Sequence, residues 1–203
     1  MNFEDLLPDV LPYVPGCTTF VAADHILRAA REFCRRTHVW QAELTPFNTV
    51  AATASYVLAP PADSSIVRLF RVDVGDEADI DLLDEVSARA NVAAGCSDRF
   101  AWLSGNSLLL NPVPDDVQAV QVHLSLKPAK TATGWPDDLG EDHAEALTYG
   151  ALSTLFDMPR ADWASGNDAI KNSARFEAKV ARAARNRTKG RATARGRSKP
   201  KLF

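Results

Sequence analysis

Residues 118–127 read QAVQVHLSLK, and apolar and polar side chains alternate from Val120 to Lys127. The apolar residues fall on one face of an extended chain: Val120, Val122, Leu124 and Leu126. The polar residues fall on the opposite face: Gln121, His123, Ser125 and Lys127. A period of two with one apolar face predicts a half-buried antiparallel strand.

The residues before this strand predict more strands. SIVRLFRVDV (65–74) is rich in β-branched residues and is followed by a turn signal at Gly75-Asp76. RFAWLSGNSLLLNP (99–112) predicts a hairpin whose turn is Gly105-Asn106. TVAATASYVLAPP (49–61) is also β-branched and ends at a double proline. We therefore expect a small antiparallel β domain over residues 46–138.

Helical patterns lie on both sides of this β region. Before it, Ile26, Ala30 and Phe33 recur at helical spacing and predict a helix over about 18–38, with Thr18 or Thr19 as its N-cap. The prolines at 8, 12 and 15 predict one helical turn from Phe3 to Leu7 and then an extended segment.

After the β region, two further stripes predict helices. The first stripe ends at Pro159 and comprises Ala144, Leu147, Ala151 and Leu155. The second belongs to a helix that starts near Trp163 and comprises Ala169, Ser173, Phe176, Val180 and Ala183. The predicted fold is α+β: an antiparallel helical bundle of residues 1–45 and 139–187, the inserted small antiparallel β domain at 46–138, and an extended C-terminal arm at 188–203.

The charge is divided unevenly along the chain. Residues 171–203 contain 12 Lys and Arg and one acid, whereas residues 1–170 contain 11 Lys and Arg and 25 Asp and Glu. This division predicts an acidic body with a basic arm that binds a partner. The candidate binding residues are Arg185, Arg187, Lys189, Arg191, Arg195, Arg197, Lys199, Lys201, Leu202 and Phe203.

Nucleic acid, an anionic membrane and an acidic groove on another protein are the possible partners of such an arm. Nucleic acid is compatible with the cations, but Phe203 is the arm's one aromatic residue, so base stacking has little support. A membrane-binding segment would interleave apolar residues, and only Leu202 and Phe203 qualify. A basic strand that ends in an apolar plug fits an acidic protein groove. We expect the arm to be disordered from about residue 186 in the free subunit and ordered after assembly.

Nothing in the sequence predicts an enzyme, a cofactor or a metal. The four histidines show no metal-ligand spacing. His143, beside Glu141 and Asp142, is the best acid/base candidate, but we place it in the first turn of a helix, where the acids favour the helix dipole. The acid-dense residues 73–85 do not fit an EF-hand loop, and we expect a solvated turn.

The cysteines and the N-terminal residues indicate the cellular compartment in which the protein is made. Three cysteines without CxxC spacing predict a reducing interior, and Cys34 is expected to be a small buried hydrophobe. The first residues lack a signal-peptide pattern, and no apolar run is long enough to span a bilayer. We expect synthesis in the cytoplasm and no membrane partner.

Residues 6–40, LLPDVLPYVPGCTTFVAADHILRAAREFCRRTHVW, resemble the start of head-to-tail adaptor proteins of tailed bacteriophages. These include the tail tubular protein A type and the wider head-completion connectors. A looser similarity continues through LLLNPVP (108–114), WPDDL (135–139) and ALTYGALSTLF (146–156). The resemblance covers most of residues 6–160.

This resemblance implies a ring of about a dozen copies between the portal protein and the tail or nozzle proteins. It also implies a helical bundle with an inserted β domain, a C-terminal arm that reaches the portal, double-stranded DNA passing through the lumen, and no active site. The expected function is therefore a structural virion adaptor. The alternative is a nucleic-acid-binding protein that uses its basic tail.

Overall fold

The computed structural model describes residues 1–77 and 79–189, and it is an α+β protein. The helices of the described residues are α1 (Leu7–Val10), α2 (Thr19–Thr37), α3 (Glu85–Ala93), α4 (Asp137–Phe156) and α5 (Gly166–Lys189). The strands are β1 (Gln41–Glu43), β2 (Phe47–Asn48), β3 (Ser55–Val57), β4 (Ser64–Val74), β5 (Asp81–Leu82), β6 (Phe100–Ser104), β7 (Ser107–Asn111) and β8 (Ala119–Pro128).

The N-terminal segment is helical for longer than predicted. A 3₁₀ turn at Phe3–Leu6, α1 and a second 3₁₀ turn at Leu11–Tyr13 follow one another directly. The prediction of an extended chain after Leu7 is wrong up to Tyr13. Pro8 and Pro12 each lie in the first turn of a helix, where the missing amide hydrogen costs no hydrogen bond.

Helices α2, α4 and α5 pack around one apolar core with the N-terminal turns. Phe33 of α2 is fully buried, and its ring lies 6.3 Å from Phe176 and 6.5 Å from Trp135, centre to centre. Gly150 of α4 allows the helices to approach closely. A Cβ atom at Gly150 would lie 2.8 Å from the Cβ of Ala29 and 3.0 Å from the Phe176 ring.

Helix α2 forms as predicted, with Thr18 as its N-cap: the Val21 amide donates to Thr18 Oγ1 at 3.4 Å. In α5 the predicted stripe is wrong at one position, because Asn172 is buried and Ser173 is exposed. Asn172 tolerates burial because its Nδ2 donates to the backbone oxygen of Asp168 at 2.9 Å.

The strands form two sheets that share a second core. In the first sheet, β8 pairs with β1 and β2 on one side and with β4 on the other. The second sheet has the order β3-β7-β6-β5. Strand β8 and the β6–β7 hairpin confirm the predicted alternation and the predicted turn. The pairing is antiparallel except between β5 and β6, which run parallel, so an entirely antiparallel β region is wrong.

Helix α3 was not predicted, and it begins within the acid-dense segment. Asp84 Oδ1 accepts hydrogen bonds from the amides of Val86 and Ser87 at 3.1 and 3.0 Å, which caps the helix. Asp73 accepts from the Arg71 side chain and from the Asp79 amide. An exposed turn is present at residues 75–77, whereas Asp73 lies in β4 and Asp84 caps α3, so the expectation of a solvated turn is wrong for these two residues.

Candidate partner-binding surface

The candidate surface begins where helix α5 ends. The side chains of Arg185 and Arg187 are exposed there, and the helical backbone continues through Lys189. Disorder from residue 186 is therefore wrong for 186–189. The remaining candidates lie outside the described residues: Arg191, Arg195, Arg197, Lys199, Lys201, Leu202 and Phe203.

Arg187 lies against the β region. Its guanidinium carbon is 5.0 Å from the centre of the Phe70 ring in β4, which is within the range of a cation–π contact. Phe70 also contacts His38, whose ring lies 5.6 Å away at an interplanar angle of 86°. The last turn of α5 is thereby held beside β4 and beside the end of α2.

His38 links this contact to the central strand. It ends α2 with a positive φ of 52°, and its Nδ1 lies 3.1 Å from Ser125 Oγ in β8. Ser125 is fully buried although it belongs to the polar face of that strand. Burial lowers the pKa of His38, and the positive charges of Arg187 and Arg68 lower it further. The neutral imidazole is therefore favoured here at pH 7.

Charged residues earlier in α5 contact helices α2 and α4. Both guanidinium nitrogens of Arg36 bind Glu177 of α5, at 2.6 and 2.5 Å. Lys179 binds Glu145, and Arg175 lies 5.2 Å from the ring centre of Tyr149. Ala183 is the last buried apolar residue of the helix. Arg185 and Arg187 follow Ala183, in the part of the helix that no longer packs against the apolar core.

A large groove lies between the N-terminal turns and helices α4 and α5. Its volume is about 890 Å³, and its walls combine aromatic, apolar and charged side chains. Tyr13 stands at its edge and is 61% exposed. Asp9, Glu145 and Asp168 contribute acids. No local pattern predicts this groove, because its lining combines the N-terminal turns with two helices near the other end of the chain.

The candidate acid/base residue, His143, packs against the helical core. Helix α4 begins at Asp137, so His143 lies in its second turn, and the predicted first-turn position is wrong. Its ring centre is 4.9 Å from that of Phe33. Burial lowers the pKa of His143, although Asp142 acts in the opposite direction.

Two further properties concern the described part of the chain. Within residues 1–77 and 79–189, no group of His, Cys, Asp and Glu side chains is arranged to hold a metal ion. No helix in this part combines the length and the apolar composition that crossing a bilayer requires.

Cys34 is buried, as predicted, and burial raises the pKa of its thiol to about 12.

Comparison with protein families identifies the chain's family. A family model described as "SU10 adaptor protein" matches residues 1–199. No curated protein matches the chain. The family match spans the helices, both sheets and most of the basic C-terminal residues, and it confirms the resemblance found from residues 6–40. The chain therefore belongs to the SU10 adaptor protein family, a family of phage head-to-tail adaptors.

Proposed function

We propose that this protein is a structural virion component that joins the portal ring to the tail of a tailed phage. The observation that carries the proposal is the family match over residues 1–199. In the proposed assembly, about 12 copies form a closed ring at the head–tail junction, with the portal on one side and tail or nozzle proteins on the other. The role is non-enzymatic and uses no cofactor, and the protein is made in the host cytoplasm.

We propose that each subunit divides into the parts expected from the sequence. Residues 1–45 and 139–187 form the antiparallel helical bundle apart from strand β1, which joins the first sheet, residues 46–138 form the inserted β domain, and the extended arm follows the end of α5 at Lys189. The shared core of α2, α4 and α5 supports the bundle. The separate core between the two sheets supports the inserted domain.

The acidic balance of the body suits a channel for DNA. Residues 1–170 contain 25 acids and 11 Lys and Arg. Acidic walls repel phosphate, so double-stranded DNA can pass through the lumen without sequence-specific binding. Each copy adds to the same field around the ring. The basic arm is separated from this body in the sequence and serves attachment.

The arm starts from a fixed position, because Arg187 lies over Phe70 beside the sheet. Residues 190–203 can extend over at most roughly 46 Å, which is long enough to cross a neighbouring subunit. The five cations of this segment can pair with acids along the path, and Leu202 and Phe203 can fill an apolar pocket on the portal or on the neighbouring copy. In a ring, many modest contacts act together through a high effective concentration.

Electron microscopy with the purified portal of the same phage tests the proposal. At a protein concentration on the order of 1–10 μM, we expect an added layer on one face of the portal ring with the symmetry of a closed ring. Bovine serum albumin, an acidic protein of another fold, serves as the control for non-specific coating. Portal rings without this layer would contradict the proposed function.

The alternative is a nucleic-acid-binding protein, and the observation that favours it is the concentration of 12 Lys and Arg in residues 171–203. Its test is the affinity for double-stranded DNA at several salt concentrations. Binding tighter than about 1 μM at physiological salt, abolished by deletion of residues 190–203, would support it. Binding weaker than that, with portal decoration intact, would exclude it.

A further inference from the structure

The longest uncharged segment of the chain surrounds an edge strand. No charged residue occurs between Glu43 and Asp63, a run of 19 residues, although 24% of the whole chain is charged. Strand β3 lies within this run and forms one edge of the second sheet. Among the described residues, β7 is the one strand that pairs with it. Natural proteins usually protect an exposed edge with charges, and this edge has none.

The register shows which backbone groups are on the outer side of β3. The Leu110 amide donates to the Ala54 oxygen and the Leu58 amide donates to the Asn106 oxygen, each at 2.9 Å. Antiparallel pairing alternates along a strand, so the amide and carbonyl groups of Ser55 and Val57 point away from β7. A strand added at this edge could form hydrogen bonds with two backbone amides and two backbone carbonyls.

The side chains around this edge are apolar and exposed. Val57 is 83% exposed, Val117 is 69% exposed and Val50 is 59% exposed. The loop that carries Val50 is fixed next to β3, because its amide donates to the Tyr56 hydroxyl at 3.1 Å. It is joined to the loop of Val117 by the hydrogen bond from the Thr49 amide to the Gln118 oxygen, at 2.8 Å. The exposed valines therefore lie on backbone that is held in place.

The opposite edge of the same sheet is built differently. Strand β5 has two residues, and acids lie within it and around it: Asp79, Asp81, Asp84 and Glu85. Both edge strands are short, but charged side chains are a usual protection against edge pairing, and only the β5 edge carries them. The contrast within one sheet indicates that the β3 edge is available for a partner and that the β5 edge is not.

We propose that the β3 edge is a contact between two copies of this chain, in which an extended segment of the neighbouring copy pairs with Ser55–Val57. The electrostatic balance selects a second copy as the occupant. Residues 1–170 carry 14 more acids than bases, so the bodies of two copies repel each other outside their uncharged and basic parts. They approach at the lowest electrostatic cost where neither carries charge, and each copy brings the same uncharged run. The inference rests on the proposed assembly of several copies into one ring.

Two substitutions test the contact without disturbing the pairing of β3 with β7. Val57→Lys places a charge on the edge, as natural unpaired edges do. Ser55→Pro removes an amide hydrogen that points away from β7. The matched control is Val86→Lys, since Val86 in α3 is 79% exposed and lies in the acid-rich region.

The measurement is sedimentation velocity of the full chain without portal, from about 5 to about 300 μM at physiological salt. We expect reversible association of the wild type that is weakened at least about tenfold by Val57→Lys and by Ser55→Pro and is unchanged by Val86→Lys. Melting midpoints of the Val57→Lys variant within about 2 °C of the wild type would show that it is folded.

Three results would overturn the inference: a wild type that stays monomeric up to about 300 μM, edge variants that associate like the wild type, or a control that loses as much association as they do. Portal decoration by the wild type is scored separately. A decorated portal together with unaffected edge variants would reject this contact and leave the proposed function standing.

Discussion

Arg36 and Glu177 are 141 residues apart in the sequence and join two helices, with Arg36 Nη1 and Nη2 donating to Glu177 Oε1 and Oε2 at 2.6 and 2.5 Å. Arg36 lies at the end of α2 and Glu177 in the middle of α5. The whole β region lies between them in the chain. The pair therefore connects the segment that precedes the sheets to the segment that follows them.

Arg36→Ala and Glu177→Gln should each lower the free energy of unfolding by about 0.5–1 kcal/mol, because a two-point ion pair that remains partly exposed contributes little more. The side chains are 35% and 50% exposed, so solvent screens the pair. A double-mutant cycle by urea denaturation measures the coupling. The hydrogen bonds from Arg36 lower the pKa of Glu177 from its ordinary 4.5, so the coupling should be present above that pH and lost as the pH falls below it. Coupling that persists at pH 2 would contradict this.

Gly150→Ala should destabilise the protein by about 1–3 kcal/mol, although alanine is the better helix former. The added methyl group would lie 2.8 Å from the Cβ of Ala29, which cannot rotate away. The control is Gly166→Ala, where a Cβ meets nothing within 4 Å and a neutral or slightly stabilising effect is expected. Thermal and urea denaturation of both variants measure the difference. Equal stability of the two variants would refute the tight approach of α2 and α4.

Cys34 should not react with a thiol reagent in the folded protein at pH 8, because it is fully buried and its thiol pKa is raised to about 12. Cys17 and Cys96 are partly exposed and should be labelled under the same conditions. Mass spectrometry of native and urea-unfolded samples counts the labelled sites. We expect two labels in the native protein and three after unfolding. Labelling of Cys34 in the native protein would show that this core opens.

Stability should decrease as the pH is lowered from about 6.5 towards 5, before the carboxylates titrate. Burial lowers the pKa of His143, and it does the same for His25 and His38. The unfolded chain therefore binds protons at a higher pH than the folded chain, and stability decreases as the pH decreases in this window. His143→Gln should make the dependence shallower, and melting temperatures at pH 5–8 measure it. A variant with an unchanged slope would show that His143 does not contribute.

Deletion of residues 190–203 should leave the free energy of unfolding within about 0.5 kcal/mol of the wild type and should abolish attachment to the portal. The deletion keeps the contact between Arg187 and Phe70, so the end of α5 stays in place. Removal of Leu202 and Phe203 alone should weaken attachment without affecting stability. Co-sedimentation with portal rings and urea denaturation measure the two effects. Full attachment of the shorter chain would contradict a role of the arm.

Local patterns predicted most of the individual elements but little of their pairing. The alternation at 118–127 and the Gly105-Asn106 turn are short-range signals, and both predictions are confirmed. The pairing of Gln41 with Ser125 depends on contacts across the chain, which no local pattern contains. Helix α3 was missed because Ala88 is its one buried residue, so it lacks an apolar stripe. The many acids around Asp84 indicated a turn and not the start of a helix.

The residue types of the candidate surface could be predicted from the sequence, but their positions in the fold could not. The run of cations after Ala183 is visible in the sequence, and so is the division of charge between body and arm. The contact of Arg187 with Phe70 depends on where the end of α5 meets β4, which requires the tertiary structure. Asn172 was missed for a related reason: a hydrogen bond within its own helix makes a polar residue acceptable in the core.

The position of β8 at the centre of the first sheet has a consequence for synthesis on the ribosome. Strands β1, β2 and β4 all pair with β8, and Gln41 meets its partner Ser125 only 84 residues later. At roughly 5–20 residues per second, β1 leaves the ribosome about 4–17 s before that partner is translated. The first sheet therefore closes late, and the nascent chain carries its uncharged run without a pairing strand until β7 has emerged. Chaperones that bind uncharged extended segments would meet this protein in that interval.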